Sequence, residues 1–322
     1  MLADSKTLLD FVGQLRETTY QEQVARVAAP LTARKLERAF NENLVDSYLK
    51  IIENSPKRTA RFLRMYLLRF EVEHVKALIK STNSKLPAEK KLAKIYFQVE
   101  DYLKHHALFE DAAKALGIAQ VVPAFKGTEY YSPLSIALKN YEETGSTASF
   151  DIFLDRHFYD ELYERFRKLS KSEQAYAEFY VSMESDGFTL FTLLRGKLLN
   201  LDPNRLRLLL PQNFLRLKPS KVEAIVSAID FEAALKIVFE TPYGRYFNKA
   251  QDPHETVANA QKTFSKVVVE HAMSSVIIDT FNIGLPLAFI THKEAEVHNL
   301  TALSLGVEAA MAPEAIRNLL LV

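Results

Sequence analysis

The chain has 322 residues, with 41 Lys+Arg against 40 Asp+Glu and no cysteine. That balance excludes a basic field for nucleic acid or anionic lipid, and the missing thiols exclude disulfides and Cys-ligated zinc or iron–sulfur clusters. Nine glycines beside 48% hydrophobic residues describe a soluble globular chain poor in φ > 0 turns, which favours helices over hairpins.

The opening MLADSKTLLDFV lacks a basic region and a long apolar core, so no secretory signal is expected there. Thr18-Thr19-Tyr20 is the first of three Thr-x-Tyr triplets. Thr128-Glu129-Tyr130 and Thr241-Pro242-Tyr243 follow, so that the three tyrosines stand at nearly equal intervals. Each triplet predicts a helix start. Thr is a good N-cap, Pro242 and Glu129 suit a first turn, and Gln21 stands three places after Thr18 as in a capping box. Tyr20, Tyr130 and Tyr243 would then occupy first turns, with rings inward and hydroxyls near water or a partner backbone.

Residues 66–80, YLLRFEVEHVKALIK, place Phe70, Val72, Val75, Leu78 and Ile79 at helical spacing, with charges between them. Residues 181–195 and 289–305 align with this stretch without gaps. Each carries an acid, then a small or polar residue three on, an aliphatic next, and Leu at the seventh place. The acids are Glu71, Asp186 and Glu296, again at nearly equal intervals. Pro87, Pro203 and Pro313 follow them at offsets that agree to within one position, each suited to the first position of a new helix. Asp202 would cap one of these helices and Glu314 would suit the dipole of another. FNIGLPLAFI, at positions 281–290, is about half the ~20 residues needed to span a bilayer. It is expected as a buried helix, so any link to a membrane goes through a partner.

Three landmarks in one order predict an all-α chain made of three similar units of about 110 residues. The units run 1–105, 106–220 and 221–322. The first is short at its front. The stretch before Tyr20 is less than half as long as the one from Pro87 to Tyr130 or from Pro203 to Tyr243. Either the two ends share one module or some N-terminal sequence is absent from this chain.

Chemistry is sparse. Gly196-Lys197 lacks the upstream glycine and following Ser or Thr of a phosphate loop, and neither Gly-x-Ser-x-Gly nor His-Glu-x-x-His occurs. No Asp-rich magnesium motif is present. Glu71 and His74 have Glu-x-x-His spacing, but a dinuclear centre needs a second copy, and Asp186…Thr189 and Glu296…Asn299 do not supply it. His105 and His106 point to different sides of a helix and read as solvated or capped. No catalytic residue, cofactor or metal is assigned. The three acids read as structural, each pairing with a neighbouring helix or an Arg. Arg205 and Arg207 read as a solvated face and a possible partner contact. A helical-repeat adaptor is the alternative, although its repeats run only ~20–50 residues.

The residues also resemble a family: the C subunit of the archaeal and bacterial A/V-type ATPase, the counterpart of the d subunit in the eukaryotic vacuolar enzyme. The resemblance spans nearly the whole chain. It rests on LRETTY, FLRMYLLRFEVEHVKALIK, TEYYSPLSIAL, FDIFLDRHFYDELYERF, FTLFTLLRGKLLNLDP, FETPYGRYF and LAFITHKEAEVHNLTALSLG ending in PEAIRNLLL. The stretch Lys293 to Leu300 is the most specific. The resemblance implies three all-α units around a pseudo-threefold axis, forming a funnel-like cup without a catalytic site. It also implies a rotor piece between the membrane proteolipid ring and the D and F subunits of the central shaft. Such a piece is peripheral, on the cytoplasmic face, and carries torque during ion transport. His74 and Thr189 stand where the family often has Asn, which Asn299 keeps. Members usually begin with a further helical segment before the equivalent of Leu8.

Overall fold

The structure, a computed structural model, describes residues 2–275 and 282–321. Among them it is α-helical with no strand. In chain order come α1 (Leu8–Leu15), α2 (Gln21–Ala25), α3 (Ala33–Glu53), α4 (Lys57–Asn83) and α5 (Ala88–Leu92). Then follow α6 (Phe97–Leu103), α7 (His106–Ala113), α8 (Ile118–Ala124), α9 (Tyr131–Thr144) and α10 (Ala148–Arg167). Next are α11 (Lys171–Leu198), α12 (Pro203–Leu209), α13 (Pro219–Ser227), α14 (Phe231–Phe239) and α15 (Pro253–Ser275). Last come α16 (Gly284–Glu308) and α17 (Pro313–Arg317).

The chain divides into two compact units. One joins residues 1–60 to 262–322, and the other holds residues 61–261. In the first, both ends of the chain build a single core. Helix α3 turns Leu36, Phe40, Leu44, Tyr48 and Ile52 inward, a helical stripe that packs along α16. Phe40 meets Phe11 of α1 and Tyr20 at ring distances of 6.4 and 5.6 Å. Glu308 accepts the Ala33 N–H at 3.0 Å, and Tyr48 donates to Glu294. The run predicted over 281–290 opens α16 from Gly284, with Leu287, Ala288 and Ile290 buried and Phe289 half-exposed. Phe281 lies outside the described residues.

In residues 61–261 the core forms around α4 and α11. Phe109, Phe125 and Tyr130 stack edge to face in series, at 5.5 and 6.4 Å. Asp160 of α10 accepts the Gln212 N–H at 2.6 Å. Helix α11 starts with a capping box that the sequence reading did not anticipate: Ser170 accepts the Glu173 N–H, and Glu173 accepts the Ser170 N–H.

The three stretches aligned from sequence lie on α4, α11 and α16, and these helices end alike. Lys85, Asn200 and Ala310 are left-handed, at φ 55°, 52° and 52°. The next residue donates back to the helix in each case: Leu86 to Ser81 O at 3.0 Å, Leu201 to Gly196 O and Met311 to Gly306 O at 2.9 Å. This is a Schellman ending, and it stands at the same offset beyond each acid. The prolines follow, with one correction. Pro203 and Pro313 sit at the first helical position and Asp202 caps as expected, but Pro87 is itself the cap residue of α5. Alanine suits a left-handed residue poorly, by about 1 kcal/mol. Ala310→Gly is therefore expected to stabilise the chain by up to about 1 kcal/mol, read from urea denaturation; a loss of stability would refute the strain.

Candidate functional site: the tyrosine–acid junctions

The Thr-x-Tyr triplets form one local structure three times. Each threonine hydroxyl donates to the carbonyl three places back, Leu15, Phe125 or Val238, at 2.7, 2.8 and 2.6 Å. The same oxygen accepts the tyrosine N–H at 3.2, 3.3 and 3.3 Å. The threonine therefore closes the end of one helix and holds the start of the next. This corrects the sequence reading: Thr18, Thr128 and Thr241 are not the caps. Tyr20, Tyr130 and Tyr243 occupy the cap positions themselves, before α2, α9 and a short 3₁₀ turn at Gly244–Tyr246. No capping box forms at Gln21.

All three tyrosine rings are buried, and two of them bond an acid that the sequence had singled out. Tyr130 Oη donates to Glu71 Oε2 at 2.6 Å, and Tyr243 Oη donates to Asp186 Oδ2 at 2.7 Å. Burial, then the charge of the facing acid, raises both phenols, so they stay protonated and donate. Hydrogen bonds to a charged group contribute about 1.5–3 kcal/mol, more than the ~1 kcal/mol of a capping contact. The tyrosine–acid bond is thus the stronger part of each junction.

The acids are completed differently. Asp186 also accepts the backbone N–H groups of Leu215, Arg216 and Leu217 at 3.0, 2.7 and 3.0 Å. Glu71 instead accepts from His105 Nδ1, with Glu100 beside it. Glu296 is half-exposed and bonds Lys293 Nζ at 3.0 Å. That ammonium sits 4.1 Å from the centre of the Tyr20 ring, a cation–π contact in place of the phenol–acid bond. No hydrogen bond reaches Tyr20 Oη among the described residues, although burial and then Glu296 raise its pKa. Tyr130→Phe and Tyr243→Phe are each expected to cost about 1–3 kcal/mol, because a buried carboxylate loses a donor. Tyr20→Phe should change stability by less than about 0.5 kcal/mol. Equal costs for all three in urea melts would reject this division.

Three places on from each acid the positions diverge. His74 donates Nδ1–H to Glu100 Oε1 at 2.6 Å, a tautomer fixed because its Nε2 accepts the Tyr96 N–H at 3.1 Å. Thr189 bonds Ser185 O at 3.1 Å, and Asn299 accepts the Leu321 N–H at 2.9 Å. Arg207 is held by Glu223 and Asn204, whereas Arg205 lies exposed with no side-chain bond among the described residues. His106 pairs with exposed Asp101, while His105 turns to buried Glu71 and is raised by that bond. His105 holds the cap position of α7 without a side-chain capping bond, and its partly exposed ring is committed to a buried acid that the sequence reading did not assign to it. Glu100 was also missed; burial, then the charge of Glu71, pushes it up to about 10. Neither residue lies at helical spacing from Glu71, so pattern alone could not find them.

The fold and these junctions define a class: an all-α chain in which one helix-to-helix junction, tied by a buried tyrosine, recurs three times. The chain belongs to the ATP synthase (C/AC39) subunit family, whose model matches residues 1–319. It is similar to the A-type ATP synthase C subunit of Methanocaldococcus jannaschii, at 27% identity over 99% of this chain and 80% of that protein. The C subunits of Thermococcus kodakarensis and Thermococcus onnurineus are 24% and 25% identical, over 98% and 99% of this chain and 83% of each relative.

Proposed function

We propose that this chain is a non-catalytic rotor subunit of a rotary A/V-type ATPase. It couples the membrane proteolipid ring to the D and F subunits of the central shaft and transmits torque during ion transport. The observation that carries this reading is the threefold junction in a chain matched to the family over residues 1–319. A piece under torque must resist bending between its helices. Three junctions that tie the end of one helix to the start of the next and to a long helix supply that stiffness, with few glycines to loosen it. The chain acts peripherally, on the cytoplasmic face; no helix among the described residues is long and apolar enough to cross a membrane. The three-unit arrangement about a pseudo-threefold axis belongs to the same proposal. So does its funnel-like form.

The test is capture of the purified chain by detergent-solubilised ring, with and without a D–F complex. Simultaneous capture of both supports the reading, and binding of the folded chain to neither rejects it. Two exposed tips are candidate contacts. Leu116 and Ile229 are 85% and 92% exposed, each at the same offset ahead of its tyrosine and just before a helix cap. Such side chains add nothing to the core, yet each offers apolar area to a partner. The double variant Leu116→Asp, Ile229→Asp is expected to weaken capture at least tenfold with an unchanged urea midpoint. Arg205→Glu probes the exposed start of α12; unaltered capture in either variant removes that surface from the contact.

A further inference from the structure

Two fully buried carboxylates, Glu71 of α4 and Glu100 of α6, stand beside His105. One donor atom from each of the three lies within 4.8 Å of the others. No Lys or Arg bonds either acid among the described residues. Glu100 Oε1 is taken by His74, but its Oε2 is buried with no hydrogen-bond partner among the described residues. Asp186, the counterpart of Glu71, meets three backbone N–H groups on its open side. Here that side presents a second acid. Two carboxylates cannot share a dry site without a cation or a proton between them.

We propose that Glu71, Glu100 and His105 bind one divalent first-row transition ion, Zn²⁺ in class, that locks α4, α6 and the start of α7 together. The donor set of two carboxylates and an imidazole suits Zn²⁺ better than Mg²⁺ or Ca²⁺, which prefer all-oxygen shells. Its formal charge of −2 matches the ion. In a tetrahedral shell at ~2.0–2.2 Å from one ion, ligand atoms stand roughly 3.3–3.6 Å apart, so donors that now lie within 4.8 Å of one another need to shift by at most about 1.5 Å. His74 holds the Glu100 carboxylate in place, as second partners of metal ligands do. Tyr130 does the same for Glu71. His105 is the accessible member, its side chain 31% exposed, and it gives the ion a way in. The Glu-x-x-His pair read from sequence thus supplies one ligand and one support, and α6 with the start of α7 supplies the rest.

The experiment uses the full chain, stripped with chelator and dialysed against Zn²⁺, or against Co²⁺ as an optical probe. The expected result is one equivalent per chain and a higher urea midpoint with Zn²⁺. Glu100→Gln, close in shape to the protonated acid, and His105→Asn should each weaken binding at least tenfold and abolish the Zn²⁺-dependent shift, while both remain folded by circular dichroism. Asp101→Asn, which removes the exposed partner of His106, should bind like the parent chain. Absence of stoichiometric binding would overturn the proposal and leave a proton between the two acids. Binding that survives Glu100→Gln and His105→Asn, or that is lost in Asp101→Asn, would overturn it equally.

Discussion

Gly244→Ala is expected to destabilise the chain by roughly 3 kcal/mol or more, at the upper end of overpacking costs. A Cβ at this position would lie 2.3, 2.6 and 2.7 Å from the carbonyl oxygen, Cα and carbonyl carbon of Phe239. These are backbone atoms at the end of α14, where Val238 O already accepts from Thr241 and so cannot retreat freely. Neither Gln21 nor Tyr131, which follow the other two tyrosines, leads into a 3₁₀ turn of this kind. The control has the opposite sign. Gly13 in α1 has nothing within 4 Å of a Cβ, so Gly13→Ala should stabilise by up to about 1 kcal/mol through helix propensity. Urea denaturation of both variants decides; an unchanged midpoint for Gly244→Ala would mean that the approach of Tyr243 to α14 is looser than described.

Asp186→Ala should cost about as much, roughly 4 kcal/mol, since each orphaned buried donor costs about 1–3 kcal/mol and four lose their acceptor. Water relieves part of this at Arg216, which is exposed, and little at Leu217 and Tyr243, which are buried. The informative comparison is Glu296→Ala. That residue holds the same place in the repeat, but its half-exposed carboxylate bonds only Lys293 among the described residues, and such pairs contribute about 0–1 kcal/mol. A large difference between the two variants supports the junction as drawn. Similar losses would show that Tyr20 leans on Glu296 as Tyr243 leans on Asp186.

Much of this was legible in the sequence because the landmarks repeat in residue type. Thr-x-Tyr, the acid and the proline each keep their chemistry across three copies, so spacing alone locates the long helices. Their pairing was not legible. Tyr130 joins Glu71, 59 positions away, and Tyr20 lies beside Glu296 from the far end of the chain. A linear reading that cuts units at 105 and 220 places Glu71 and Tyr130, and Asp186 and Tyr243, in different units. The left-handed residues after the long helices were hidden for another reason. Lys85, Asn200 and Ala310 share a backbone state and no side-chain property, so only the hydrogen bonds reveal them. The expectation that threonine would cap failed because its hydroxyl has two tasks, accepting from the tyrosine N–H and donating to the preceding helix. The linear cuts also separate the two chain ends, which form one compact unit.

That unit sets an order on synthesis. Tyr48 and Glu294 are 246 residues apart, so α3 leaves the ribosome long before α16 exists. At ~5–20 residues per second, the delay is roughly 10–50 s. The ties described within residues 61–261 span shorter stretches, such as the 59 residues between Glu71 and Tyr130. Nascent α3, with Phe40, Leu44 and Tyr48 uncovered, is the part of this chain most in need of a chaperone.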